Sequence, residues 1–476
     1  MELAKAKERS EKRRQFMLEG SLLFVIVTIA GPQVVTMLVD SIYNMADAYF
    51  VSNIGDAAIS AVGINDSLLM IIRAIAMGFG MGSASFISRA LGAGKDETAS
   101  RAAVTTLFTA MGILSILMVL GLMYITPLVN FLGATDSIRG YTIDYAKWIL
   151  LTAPIAAADT ILSQLLRSEG NTLYSMIGMT TGCILNIILD PIFITTWGMG
   201  VAGAAIATDI SKFISFLILL YPFATRKTVI NMKPSLFTPT KELYSELARM
   251  GIPTMVRTGL MSVATILINN TAAAFGDAAL AAITIANKSL RFVSSAIMGF
   301  SHGFQPIAGY SYGAGKYDRV LKAFRVTLTI GAVIGIVLGA ALGIFAHLVI
   351  AIFSADSEIV SLGMTLIRSQ SITMVPHVWT MISTGFFQAQ GKAMKAGALG
   401  LSRQLIALIP CVVILSRVFG VTGLTLAQAA SDVISCTVAI IMVIPAIKEL
   451  INLDKGVITI DQVTGGVLKV YEESDD

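Results

Sequence analysis

Residues 105–129 read TTLFTAMGILSILMVLGLMYITPLV, a run without one charged side chain. Wound as a helix at ~1.5 Å per residue, such a run crosses the ~30 Å hydrocarbon core of a bilayer. The stretches 326–353 and 424–447 are as long and nearly as apolar. Hydrophobic residues make up 55% of the 476-residue chain, charged residues 13%, and the mean hydropathy is +0.77. A water-soluble protein needs more charge than that to cover its surface. Helix is favoured over a membrane barrel because the ten-residue alternation of barrel strands is missing.

The apolar segments place twelve transmembrane helices near 21–53, 57–88, 100–131, 140–167, 172–196, 201–224, 243–275, 280–310, 322–353, 358–388, 393–416 and 420–447. Lys and Arg gather at the N-terminus and in the loops after even-numbered helices, as at Arg89, Lys95 and Arg101, or Lys316, Arg319 and Lys322. Short basic loops stay cytoplasmic, so both termini are expected inside. The net charge of +4 is thereby read as membrane topology, with no nucleic-acid partner. Cys183, Cys411 and Cys436 lie in apolar segments without metal spacing and read as small buried hydrophobes.

The organisation expected is a basic N-terminus (1–16), a six-helix lobe (17–224), a linker (225–242), a second six-helix lobe (243–447) and a polar tail (448–476). An internal repeat supports it. An offset of 221 carries Pro32 to Pro253, GDAA at 55–58 to GDAA at 276–279, GAGK at 92–95 to GAGK at 313–316, and Gly170 to Gly391. With one residue of slip, GVAG at 200–203 meets GVTG at 420–423. Six helices per half make the repeat parallel, related by a pseudo-two-fold axis along the membrane normal, the arrangement that supports alternating access. The paired prolines suggest bends, with Pro32 a hinge. The GAGK loops lack the rest of a phosphate loop and read as turns.

Between the halves, charge differs. The first embeds Asp40, Asp47, Asp66, Asp159, Asp190 and Asp209; the second embeds Arg257, Lys288, Arg291, Arg368 and Arg403. An acid at the bilayer centre costs about 2.5–3.5 kcal/mol. Asp40, Tyr43, Asn44 and Asp47 fall on one face of the first helix, and Asn186 and Asp190 on one face of the fifth, with Pro191 breaking its ladder just beyond. Thr208 adds a hydroxyl from the sixth. Together they offer oxygen ligands to a hard cation such as Na⁺, or carboxylates that take up H⁺. The bland alternative is that these acids pair with embedded cations and only hold helices together. For the isolated His302, His347 and His377, packing or polar lining is the simpler role.

LVDSIYNMADAYFVSNIGDAAISAVG, ISRALGAGK, QLLRSEGN and ILNIILDPIFI with GVAGAAIAT resemble the motifs of multidrug and toxic compound extrusion (MATE) transporters, most of all their DinF-like and MepA-like branch. The resemblance spans roughly residues 17–447. It implies the fold described above, a plasma-membrane location and a functional monomer. It also implies export of amphipathic, often cationic compounds in exchange for Na⁺ or H⁺, without a further cofactor. Asp47, Asn186, Asp190 and Thr208 match the family's cation-site positions. Asp40 departs from the pattern, which has a neutral polar residue there; with Tyr43 and Asn44 it could add a coupling or substrate contact. Coupling is not expected in the second lobe, which lacks the membrane acids of the other main bacterial branch. A lipid-linked precursor flippase or dedicated metabolite exporter is the alternative. An enzyme is disfavoured, since HExxH and GxSxG motifs are absent.

Overall fold

The computed structural model describes residues 2–457 except 53, 55, 137 and 355, and side chains from residue 8 on except at 48, 51–53 and 55–59. The acidic end of the tail, 458–476, and much of the first GDAA run therefore lie outside the described residues. Helix α1 (Glu2–Glu19), read in the sequence only as a basic N-terminus, precedes the first long helix, α2 (Leu22–Ser52). Then follow α3 (Asp56–Gly92), α4 (Asp96–Met123), the short α5 (Ile125–Phe131) and α6 (Arg139–Ser168). α7 (Thr172–Pro191) runs into a π-helical turn, Ile192–Thr196, before α8 (Gly200–Ala224).

The second half repeats this plan with α9 (Lys241–Ala274), α10 (Asp277–Gly313), α11 (Tyr317–Ile344) and the short α12 (Ala346–Ala351). It ends with α13 (Ser357–Ile372), α14 (Met374–Ala389) and α15 (Ala393–Leu401), which passes through a π-helical stretch, Ser402–Leu408, into α16 (Ile409–Asp454). Nine of the described helical segments are long and apolar enough to cross a membrane. One of the nine, Ala393–Asp454, is 62 residues long and is broken at Gly420, whose φ of 61° and ψ of −141° turn the chain. α10 is long enough but carries Lys288 and Arg291, and α13 and α14 share one apolar stretch interrupted at Thr373.

The glycines that repeat at 221 have a physical reason to do so. Gly94 and Gly315 have φ of 79° and 71°, and Gly170 and Gly391 have φ of 81° and 73°. All four end a helix in the left-handed region, where a Cβ is penalised.

The chain forms two compact units. Unit 1 holds Met1–Gln15 with Val35–Met255, and unit 2 holds Phe16–Val34 with Val256–Asp476. The first helix of each half is thus divided just past its proline, Pro32 or Pro253, and its N-terminal stub packs in the other unit. Glycines receive the stubs. In unit 1 a Cβ on Gly82 would come within 2.8 Å of the Leu247 carbonyl, and one on Gly78 would strike Met255. In unit 2 a Cβ on Gly299 would lie 2.7 Å from the Val34 Cα, and one on Gly303 would fall on Ala30. Gly78 and Gly82 become Gly299 and Gly303 at the same offset of 221, so each unit has a small-xxx-small seam. Unit 1 adds a buried ion pair, Arg89 Nη2 to Glu246 Oε1 at 2.7 Å.

On one end of unit 1, α1 caps three helices. Arg14 Nε donates to Gly92 O at 3.0 Å, Arg13 Nη1 to Gly170 O at 3.1 Å, and Arg9 Nη1 to Arg226 O. Cations there offset the partial negative charge of helix C-termini. The 225–242 segment is fastened to the same end: Asn231 N donates to Ser100 Oγ and Thr238 N to Thr105 Oγ1, both at 2.9 Å. Buried Glu169 accepts from Val229 N at 2.9 Å and Ile230 N at 3.3 Å.

Two predictions follow from these contacts. Gly303→Ala should lower stability by about 1–3 kcal/mol, read as a fall in the thermal midpoint in detergent. Gly112→Ala, where nothing stands within 4 Å of the added methyl, should not. Burial pushes the Glu169 carboxyl up to about 7, against the pull of Arg13 and the two amides. Between its ordinary value of 4.5 and 7, the folded chain keeps a proton that the unfolded chain has released. Stability should therefore fall as pH rises through that window, and Glu169→Gln should flatten the dependence in melting curves taken from pH 4.5 to 8.

Candidate functional site

The unit 1 core is built on α3, α4, α6 and α8, with Leu68, Ile72, Leu114, Tyr145, Leu150 and Ala204 buried together. Against this scaffold stand the C-terminal part of α2, which carries Asp40 to Asp47, and α7, which carries Asn186 and Asp190. α7 and α8 pack along their length, and Gly178 and Gly182 meet Leu219 and Ser215 where a methyl would not fit. That close approach lets Asn186 Nδ2 donate to Thr208 Oγ1 at 3.1 Å, joining two of the residues expected at the site.

Asp190 is fully buried and Asn186 is 2% exposed. Asp47 lies within electrostatic reach of Asp190, and the Tyr43 and Tyr145 rings lie within reach of both carboxylates. Oδ1 of Asp47 is buried with no hydrogen-bond partner among the described residues. An acceptor oxygen in that state suits a cation or a proton, since a buried carboxylate oxygen left unsatisfied is costly. Beyond Asp190, Pro191 has no amide hydrogen, and the chain widens into the π-helical turn at Ile192–Thr196, a distortion common at functional sites. No group of three or more His, Cys, Asp or Glu side chains with metal-binding geometry occurs among the described residues. A transported monovalent cation, with amide and hydroxyl ligands beside two carboxylates, has different needs.

Asp40 stands apart. Asn44 turns back along α2 and donates Nδ2 to the Asp40 carbonyl at 2.6 Å and to Oδ2 at 3.2 Å. Asp40 lies within electrostatic reach of Cys183 and Lys212, in a second cluster with Asp159 and Arg73. There Lys212 Nζ sits 3.4 Å from Asp159 Oδ2, and Ser215 Oγ donates to Asp159 Oδ1. Asp159 therefore fills the bland role, an acid neutralised by an embedded cation. Asp209 accepts from Thr152 Oγ1. Asp66 is exposed on α3 and feels Arg73 one to two turns on.

Several participants were not read from the sequence. Arg73 and Lys212 are first-half cations inside apolar segments, and Tyr145 reaches the carboxylates from α6. Lys212 was visible three residues after Asp209 in ATDISK. Nothing in the sequence pointed to Tyr145. Unit 2 does hold a membrane acid, Asp432 on α16, which accepts from Arg403 Nε at 2.8 Å.

A single family model, MatE, matches twice, over residues 32–192 and 253–413, the second match displaced by the same 221 residues at both ends. The chain belongs to the MatE family. Curated relatives include the multidrug export protein MepA of Staphylococcus saprophyticus, 28% identical over 94% of this chain and 98% of that one. MepA of Staphylococcus aureus is 28% identical over 89% and 93%. An outward-facing multidrug resistance MATE transporter of the MOP superfamily superposes with a TM-score of 0.87 at 28% identity, over 91% of this chain and 98% of that one. A MOP superfamily transporter from Pyrococcus furiosus, whose binding pocket of reverse polarity suggests a different function, gives 0.86 at 27% identity, over 92% and 98%. The chain thus has the MATE fold and is a multi-pass membrane protein.

The Asp159–Lys212 pair can be tested apart from Asp47 and Asp190. Asp159→Asn should cost about 1–3 kcal/mol by leaving Lys212 without its counter-charge, while efflux per folded molecule is retained. Melting midpoints and dye efflux from proteoliposomes, measured on the same preparation, check this.

Proposed function

We propose that this chain is a multidrug exporter that expels amphipathic, often cationic compounds in exchange for Na⁺ or H⁺ bound at Asp47, Asn186, Asp190 and Thr208. The observation that carries the coupling site is the buried, unsatisfied Oδ1 of Asp47 within electrostatic reach of the buried carboxylate of Asp190, beside the Asn186–Thr208 pair. Two anions within electrostatic reach repel each other until a positive charge joins them. A bound Na⁺ or H⁺ removes the repulsion, and inward movement of one charge yields about 2.3 kcal/mol per 100 mV. The MepA relatives are multidrug exporters, which supports drug-like substrates here.

In this reading Pro32 acts as a hinge, because it removes a ladder hydrogen bond two residues before α2 leaves unit 2 for unit 1. Asp40, held by Asn44 and near Lys212, acts as an accessory group and not as a direct ligand. The basic end of unit 1, where α1 and the 225–242 segment gather, faces the cytoplasm, and both termini lie there. One chain suffices, and the protein works by transport and not catalysis.

A precursor flippase would need free cations in unit 2 to hold a pyrophosphate. Arg403 is committed to Asp432, which weakens that alternative.

The test is efflux of a fluorescent cationic dye from proteoliposomes under separate Na⁺ and pH gradients. Wild type should move dye under at least one gradient, and Asp47→Asn and Asp190→Asn should each fall to the protein-free rate. Undiminished efflux in both variants would make the pair structural. A wild type that moves no dye under either gradient would favour the flippase or a dedicated exporter.

A further inference from the structure

Unit 2 contains a buried ionic cluster that the coupling site in unit 1 does not use. Asp432 is 1% exposed, and its Oδ1 faces two donors, Arg403 Nε at 2.8 Å and His377 Nδ1 at 3.3 Å. Facing a carboxylate, Nδ1 carries the imidazole hydrogen. The other ring nitrogen, Nε2, is then a bare lone pair. His377 is 7% exposed, and Nε2 has no hydrogen-bond partner among the described residues.

The repeat shows what is unusual here. By the 220-residue step that matches GVAG to GVTG, Asp432 occupies the position of Lys212. In unit 1 the last helix supplies the cation, Lys212, and α6 supplies the acid, Asp159. In unit 2 the last helix supplies the acid, and α14, the counterpart of that part of α6, supplies His377 one turn before the position matching Asp159. The pair has exchanged its charges, and the basic member has become an imidazole. A Lys–Asp pair stays charged through neutral pH, whereas an imidazole ordinarily gains and loses its proton between pH 5 and 8.

We propose that His377, Asp432 and Arg403 form a second proton-binding site, located in unit 2, with Nε2 of His377 as the atom that takes up the proton. No bond other than N–H forms, and the proton comes from solvent hydronium, leaving water. The uptake turns a neutral donor into a cation beside an acid already shared with Arg403. Because both donors address the same oxygen, a charged His377 draws Oδ1 toward itself and loosens Arg403. Arg403 stands on the π-helical stretch Ser402–Leu408, and Arg257 packs against Gly400 at its edge. A proton at His377 therefore changes how tightly Arg403 is paired.

The surroundings set the titration. Asp432 Oδ1 faces the imidazole and is shared with Arg403. Cys436 lies one turn along α16 within reach of Asp432, and Arg257 lies within reach of Arg403. Lys288 and Arg291 of α10, Arg325 of α11, Arg368 of α13 and Lys395 of α15 sit on the other helices packed with α14. None of these makes a hydrogen bond or ion pair with His377 among the described residues. The inference does not depend on transport through the unit 1 site, and its test does not use transport.

The full chain, labelled with ¹⁵N-histidine and held in detergent micelles, carries three histidines, His302, His347 and His377. The resonances absent from His377→Gln assign the residue. In wild type they should report the Nδ1–H tautomer at pH 8 and protonation of Nε2 on descent to pH 5. Asp432→Asn should lower the midpoint by about one unit or more, and Arg403→Gln should raise it by a similar amount. A His377 that stays neutral to pH 5, or a midpoint that fails to rise in Arg403→Gln, overturns the proposal. If Asp432→Asn does not fold, the Arg403→Gln shift decides alone, because that variant keeps the carboxylate in place.

Discussion

Helices in a bilayer gain nothing from hiding apolar surface from lipid, so backbone proximity has to hold them together. In this chain that requirement is concentrated at two glycine pairs, Gly78 with Gly82 and Gly299 with Gly303. Each pair receives the N-terminal stub of a helix whose remainder belongs to the other unit. Only hydrogen on those α-carbons lets the backbones meet, and the rest of each unit is arranged around that seam. Arg89 and Glu246 reinforce it in unit 1, whereas at the matching positions unit 2 has buried Tyr310 and Val25. The same close packing recurs at Gly178 and Gly182, where it brings Asn186 to Thr208.

The carboxylates gain their character from this scaffold. Asp190 sits at the foot of a helix that ends in proline and a π-helical turn, and Asp47 sits past the point where α2 has entered unit 1. Lys212 is paired with Asp159. Among the unit 1 acids, Asp159 is neutralised by Lys212, whereas Asp47 and Asp190 lie within reach of each other.

Much of this was legible from periodicity and repetition. Long uncharged runs gave the helices, and the offset of 221 gave the two halves, because the repeated glycines are needed at left-handed turns and at backbone contacts. The grouping of Asn186 with Thr208 followed from spacing and family resemblance together. What escaped were relations across helices. Asp40 shares a helical face with Asp47, yet it lies with Lys212 and Cys183, because a face some 10 Å long meets different neighbours at its two ends. The division of α2 and α9 between units was hidden as well: a helix pattern says which face is apolar but not whose partner it meets. The helical form of residues 2–19 was obscured by their charge, whose partners are carbonyls at the ends of distant helices.

The division of those two helices bears on how the protein is made. Residues 16–34 leave the ribosome long before Gly299 and Gly303, the surfaces they rest on, have been synthesised. Until then the first stub lacks its final packing partner. Unit 1 in turn stays open until residues 241–255 arrive. Cut between 225 and 242, each fragment would carry a piece that packs in the other's unit. Assembly is accordingly a late, mutual event, and the duplicated halves are bound to each other by exchange of parts as much as by the covalent chain.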